Sequence, residues 1–388
     1  MENSTGKHHS LERFRAIVAW QNRILALFGC YVYVREHRVT SRIAVICFIA
    51  TSFIVLSVYS AALSWGDMGL VVLNIVAVFY AIVGVARLSV AISDPAGCYR
   101  SIRLAEEMYQ HADGSHPAEC SVLARYTDLF GRSVQLYTFC FMASVVLVSL
   151  MPFGFYLFRG ERFLPIAIVF PFTDGENAIG FWCTLAVQLF YIYCGPLALV
   201  PSQNIYFAFI FNICLQYELL IERLKQLDET IRKTGGSQSS TVRDQLVKII
   251  QFQQRSTEYI THIEHFYQMQ SFVEFLCNSL QVALTLNELH RSFWLPGFFV
   301  LLMAVVQMLV LCCLGTLIEL KSDQFTNQLY DIAWAEMELP QQAMFKYVLK
   351  SAQQPTRLTC GRFAVINMNL FLTIHKKIYS FFMMLQNM

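Results

Sequence analysis

Charge is scarce in this sequence. Asp, Glu, Lys and Arg make up 14% of the 388 residues, against 56% hydrophobic residues and a mean hydropathy of +0.46. A soluble chain carries about 25% charged residues, so the composition excludes an ordinary soluble domain and makes the lipid bilayer the expected solvent. The first 39 residues are polar and basic, with no apolar run followed by small residues. No cleavable signal peptide is therefore expected, and the first span should act as its own insertion signal. No Cys/His spacing has metal geometry, so neither a metal nor a cofactor is expected. The chain lacks a P-loop, a His-Glu-x-x-His and a Gly-x-Ser-x-Gly. Polar residues inside the apolar stretches (Asn74, Gln188, Asn278, Gln281 and Gln307) are scattered and form no nucleophile–base set. Neither catalysis nor nucleic-acid binding is indicated. Twelve cysteines are present, but they fall in apolar stretches or in segments read as cytosolic, so they are expected to be small buried thiols rather than disulfides.

What the sequence does have is a series of apolar runs. At about 20 residues per crossing, they predict an all-α membrane protein with seven transmembrane helices. The spans are read at about 40–64, 68–93, 131–158, 178–213, 266–289, 294–319 and 362–388. Arg87 falls in the second span near its inner end and is expected to snorkel to the headgroups. The fourth stretch is long and holds Gly195-Pro196 and Pro201, which predicts a kink. Leu11–Tyr33 reads as an amphipathic helix lying along the interface. Two further amphipathic helices, within about 216–265, and two helical patches at about 320–338 and 341–353 are expected on the cytosolic side. Asp113-Gly114-Ser115 and Gly235-Gly236-Ser237 read as breaks.

Lys and Arg placement sets the orientation. With the N-terminus cytoplasmic, the inner segments hold 23 of the 29 Lys+Arg, and the outer turns hold only Arg159, Arg162 and Arg291. Seven spans then put the C-terminus outside, with long cytosolic helix extensions forming an anchor region. The division expected is an N-terminal segment 1–39, six helices over 40–319, anchor helices over 320–361 and a last helix over 362–388.

That last stretch is not uniformly apolar. Thr373, Lys377, Ser380, Met384 and Asn387 follow at steps of four, three, four and three, which puts them on one stripe of a helix. Hydrocarbon cannot satisfy such a stripe, so it must face protein or water. It can line a pore between several copies or pack against sister helices.

The final 80 residues carry a resemblance. Cys313-Leu314-Gly315, Glu319, Ser322, Tyr330, Trp334, Gln354-Pro355, Thr359, Gly361, Phe363, Phe371 and Tyr379-Ser380-Phe381-Phe382 with Leu385 resemble, in order and spacing, the C-terminal signature of insect odorant receptors. The chain resembles a ligand-tuning subunit rather than the co-receptor, whose long insert in the second inner connection it lacks. His375-Lys376-Lys377 replaces the usual Thr/Tyr-rich approach to Tyr379-Ser380, and two adjacent cations oppose cation flow unless neutralised or set in a wide wet vestibule.

The resemblance implies a ligand-gated cation channel of four subunits, formed with the co-receptor, in a multi-pass plasma membrane location in sensory dendrites. It implies that Ser380, Met384, Asn387 and Met388 face the axis, with the two methionines forming a dewetted constriction. Tyr330, Trp334 and Pro355 fall in the subunit anchor. A small volatile odorant would sit in the outer half of the bundle, between the second to fifth helices. Phe79 and Tyr80, Val148 and Met151, Val187 and Tyr191, and Asn278 and Val282 lie at suitable depth for it. A gustatory receptor of the same architecture is the nearest alternative. A G-protein-coupled receptor has the opposite topology, and its Asn-Pro-x-x-Tyr signature is missing from the last span.

Overall fold

The computed structural model describes residues 2–31, 41–111, 116–170, 177–234, 239–291, 295–353 and 357–386. Nearly all of them are helical: α1 (Glu2–Leu27), α2 (Ser41–Leu63), α3 (Met68–Ser93), α4 (Pro95–His111), α5 (Pro117–Arg159), α6 (Ala178–Thr234), α7 (Ser239–Arg291) and α8 (Leu295–Asp331). A 3-10 turn at Trp334–Glu336 leads to α9 (Leu339–Ala352), a two-stranded hairpin of β1 (Thr359–Cys360) and β2 (Ala364–Val365), and α10 (Met368–Gln386).

Two helices are far longer than a membrane is thick. α6 has 57 residues and α7 has 53. At 1.5 Å per residue each runs about 80 Å or more, against a hydrocarbon core of about 30 Å. The apolar spans and their polar extensions are thus single rods. α6 stays helical through Pro196 and Pro201, and α8 continues past the apolar run to Asp331. The polar connection 94–130 contains α4 and the first turns of α5, where Pro117 sits at the start and Gly160, at φ 67°, closes the far end. The last helix begins at Met368, because the residues before it form the hairpin. Gly361 and Arg362 turn that hairpin with positive φ, and the Gly361 amide donates to the Gln268 carbonyl at 3.0 Å. This docks it on α7. Asp113-Gly114-Ser115 and Gly235-Gly236-Ser237 lie outside the described residues, each between two helices.

The core is deepest at the polar end. There Leu11, Phe14, Val18 and Leu25 of α1 are buried among α4, α5 and α6. The amphipathic helix expected at the interface does form, but its apolar stripe is covered by protein. Its polar face is tied down by Arg15, whose guanidinium donates to both oxygens of Glu106 at 3.0 Å. Arg223 pairs with buried Glu119 at 3.1 Å and lies over the Phe252 ring. α9 opens with a capping box between Glu338 and Gln341.

Among the described residues, five helices are long and apolar enough to cross a membrane: α2, α3, and stretches of α5, α6 and α8. α7 and α10 fall outside that set. α7 carries Glu274, Asn278, Gln281 and Glu288 within its upper half, and α10 has His375, Lys376 and Lys377 in 19 residues. All twelve cysteines are free. Burial pushes the Cys30 and Cys360 thiols up to about 11 and Cys98 to about 12, which suits inert packing groups. Cys47, Cys140, Cys183 and Cys313 differ from the expectation in lying on exposed helix faces.

Candidate functional site

A cavity of about 490 Å³ lies between α2, α3, α5, α6 and α8, with one residue of α7 in its wall. Its wall is almost wholly apolar. α3 supplies one side from Leu73 through Tyr80 and Gly84 to Ser93, and α6 supplies Tyr191 to Leu199. Phe141, Val145 and Val148 come from α5, and Phe299 and Met303 from α8. Such a lining, with few polar groups, fits a small apolar ligand.

The connection between α5 and α6 closes one end. Pro165, Ile166 and Ala167 enter the cavity wall, and Ile168 is buried. A loop buried in this way must have its backbone satisfied, and three buried side chains do so. Gln188 donates to the Ile166 and Ile168 carbonyls at 2.9 and 3.0 Å and accepts from the Ile166 amide at 3.3 Å. Asn74 donates to the Ala167 carbonyl at 3.1 Å, and the Ser60 hydroxyl accepts from the Val169 amide at 2.8 Å.

Behind the α3 wall, Arg87 pairs with Glu274 of α7, through two contacts of which the Nε–Oε2 distance is 3.2 Å. Both residues are 2% exposed. Tyr137 of α5 and Gln307 of α8 stand beside them. Arg87 therefore does not snorkel. Its guanidinium turns inward because a carboxylate on the neighbouring helix meets it there, and the attraction between the two offsets a desolvation cost that a lone buried charge would bear uncompensated.

α10 uses only one face within the chain. Ile378 is buried, and Phe371 and Ile374 pack against α7 and α8. Leu372, Thr373, Lys376, Lys377, Ser380 and Met384 lie exposed on the opposite side. The stripe read from the sequence thus points away from the chain's own bundle.

A family profile described as the 7tm odorant receptors matches residues 67–379. The chain belongs to the insect odorant receptor family. Among its relatives, odorant receptor 83c of Drosophila melanogaster is 22% identical over 267 residues, covering 66% of this chain and 66% of that protein. Odorant receptor 10 of Aedes albopictus is 21% identical over 235 residues, covering 59% of this chain and 62% of that protein. The chain thus spans about two thirds or less of the length of these relatives. The solved structure of the olfactory receptor OR5 from Machilis hrabei superposes with a TM-score of 0.74 at 12% identity, covering 97% of this chain and 98% of that one. Its complex with eugenol gives 0.70 at 14% identity, with 97% and 99% covered. The likeness establishes the fold. Membership places the chain among membrane receptors rather than enzymes.

In this odorant receptor the eight residues expected around a ligand are not all together. Tyr80, Val148 and Tyr191 line the cavity. Phe79 and Met151 are half-buried outside its wall, Val187 lies exposed on α6, Asn278 is buried with no partner for its Nδ2 among the described residues, and Val282 packs with Ala283, Ala304 and Ile378. Ser380 and Met384 are exposed, the latter by 50%; Asn387 and Met388 lie outside the described residues. Tyr330 and Trp334 are exposed at the polar end, where the Tyr330 hydroxyl accepts from Gln353 at 2.9 Å; Pro355 lies outside the described residues. Sequence reasoning missed the wall contributed by α2, by the 165–167 loop and by Phe299 and Met303. It also missed Glu274, although an ionisable residue in a crossing segment calls for a partner, and Arg87 was the one to match.

Proposed function

We propose that this odorant receptor is a ligand-tuning subunit that binds a small organic volatile in the cavity between α2, α3, α5, α6 and α8, and opens a cation pore lined by α10. The reading rests above all on the exposed face of α10. A helix that leaves Thr373, Lys377 and Ser380 uncovered along one stripe cannot turn that stripe to hydrocarbon, and copies of its own kind around an axis would shelter it. The apolar cavity supports the ligand, and so does eugenol in the complex of a receptor with the same fold.

On this reading α7 and α10 also cross the bilayer, giving seven spans. α7 tolerates its polar residues because Glu274 is paired and the others face the bundle. The Lys/Arg distribution puts the α4 and α9 end in the cytosol. The exposed Tyr330, Trp334, Leu339 and Tyr347 at that end offer a surface for partner subunits. Lys376 and Lys377 favour a heteromer. Four copies of this helix would bring eight cations to one pathway, and sharing the ring with co-receptor subunits dilutes that charge. A ligand opens the pore only to the extent that it binds the open arrangement more tightly than the closed one.

Whole-cell current under a panel of volatiles, with and without an insect co-receptor, tests the reading. The expected result is a current that needs both subunits and survives block of G-protein signalling. No current under any volatile, with the chain at the cell surface, would turn the assignment toward the gustatory alternative.

A further inference from the structure

The shape of the cavity narrows the ligand class. Its α3 wall runs from Leu73 to Ser93, which is about 30 Å along the helix axis. A cavity whose lining follows one helix over that distance is elongated, which suits an extended ligand better than a compact one.

The polar groups are not spread evenly along it. α3 and α7 run antiparallel. Glu288 reaches Gly69, Glu274 meets Arg87, and His262 bonds the Gly97 carbonyl at 3.2 Å. That register sets Gln281 level with the residues around Tyr80. Gln281 lines the cavity, is 1% exposed, and its Oε1 has no hydrogen-bond partner among the described residues. An unpaired buried amide oxygen is costly, so a ligand that donates a hydrogen bond there gains what the empty site forgoes. Beyond Gly84, toward Ile92 and Phe28, the wall is aliphatic and aromatic apart from Cys47, Ser89 and Ser93, and the Ser89 hydroxyl is already spent on the Ala86 carbonyl at 2.8 Å.

Access also differs between the two regions. The 165–168 loop closes one end and is pinned by Gln188, Asn74 and Ser60. In contrast, Cys47, Val85 and Ser89 are lining residues that are also exposed on the sides of α2 and α3. α2 meets α6 through Ser52 and Phe53, both on Tyr191, and nothing lies within 4 Å of a Cβ placed on Gly195. The gap opens sideways, toward what would be lipid.

We infer that this receptor is tuned to an unbranched long-chain aliphatic ligand with a single hydrogen-bond-donating head, which enters from the bilayer, sets its head at Gln281 and lays its tail along α3 past Gly84. The inference rests on the proposed ligand-gated reading of the same cavity.

The test is a series of straight-chain primary alcohols from hexanol to hexadecanol, applied to cells carrying the receptor and the co-receptor. The half-effective concentration should fall about fourfold per methylene, the value of one buried CH₂, until the tail fills the cavity. Gly84→Leu should lower the response to long alcohols relative to short ones, because the added side chain meets Leu199 across the tail's path. A Cβ alone meets Leu199 at 3.5 Å, an ordinary contact, so Gly84→Ala should fold and move the cut-off in the same direction by a smaller step. Gln281→Leu should erase the preference for an alcohol over its methyl ether. A cut-off that neither Gly84 variant moves, or silence toward all alcohols beside a current for compact aromatic volatiles, overturns the chain-shaped site and leaves the channel reading standing. Silence toward every volatile, with both subunits at the surface, overturns both.

Discussion

Arg87 of α3 and Glu274 of α7 hold each other in the interior of the bundle, at the level of the α3 stretch that lines the cavity but outside its wall. Such a pair is poor evidence for stability in itself, since its desolvation offsets much of its attraction. Its consequence is that neither partner can be removed alone. Arg87→Ala or Glu274→Ala should each cost about 3–5 kcal/mol by leaving a buried charge uncompensated. The double replacement Arg87→Met with Glu274→Leu should recover most of that loss. Thermal unfolding of the detergent-solubilised receptor reads the difference; single variants as stable as the parent would show that the pair is not formed.

A second ionic cluster ties α6 to α8 and α5. Lys321 contacts the Glu218 carboxylate at 2.6 Å, Arg125 contacts it at 2.9 Å, and the Tyr126 hydroxyl donates to it at 3.3 Å. Burial works against ionisation of Glu218, but the Lys321 hydrogen bond and charge, with Arg125, outweigh it and hold its carboxyl below the ordinary 4.5. A carboxyl with a lowered folded value contributes stability that is fully present above its unfolded value and is lost as pH falls through the folded one. Stability should therefore decline below about pH 4.5, and Glu218→Gln should flatten that part of the profile. An acid limb identical in the variant and the parent would count against the cluster.

Met384 is half exposed on the free face of α10, four residues after Ser380, whose hydroxyl is turned back on the Lys376 carbonyl at 2.9 Å. If the face lines a pore, an apolar side chain there sustains a dewetted constriction. Met384→Ser should then raise the resting current of the heteromer without ligand, while total surface protein stays the same. An unchanged resting current and ligand response would remove Met384 from the gate.

Much of this fold could be read from periodicity alone. The apolar runs give directly the five helices that are long and apolar enough to cross a membrane among the described residues, and the stripe from Thr373 to Met384 gives the free face of α10. What periodicity could not give is which polar residue meets which. Arg87 near a helix end looks the same in sequence whether it reaches headgroups or Glu274, and only the antiparallel register of α3 and α7 decides. Nor could it place the 165–168 loop, because a connection with two prolines reads as solvent-exposed until Asn74 and Gln188 are found to satisfy its backbone. Half of the cavity wall was hidden for the same reason. Phe53 and Met303 lie in the predominantly apolar stretches of α2 and α8, and the inward side of such a stretch leaves little pattern when the outward side meets lipid.

Gly315 gives a direct test of how α10 is held. A Cβ built on Gly315 runs into the Ile366 carbonyl, so α8 and the segment leading to α10 touch through backbone. The neighbouring contacts fix the same junction. The Met368 amide donates to the Thr316 hydroxyl at 2.9 Å, and Asn367 donates to Glu319 at 3.2 and 3.4 Å. A backbone carbonyl cannot yield as a flexible side chain can, so Gly315→Ala must push residues 366–368 off α8 and carry the base of α10 with them. The expected cost is about 1–3 kcal/mol, typical of overpacking. Thr316→Val removes a hydrogen bond at the same junction without adding bulk there, and should lower stability by about 1 kcal/mol. If α10 lines the pore, the two variants part in function. Gly315→Ala should change the resting current or the ligand concentration needed to open the channel, whereas Thr316→Val should leave both near the parent values. Equal effects of the two on current would mean that the position of α10 is not set at this contact.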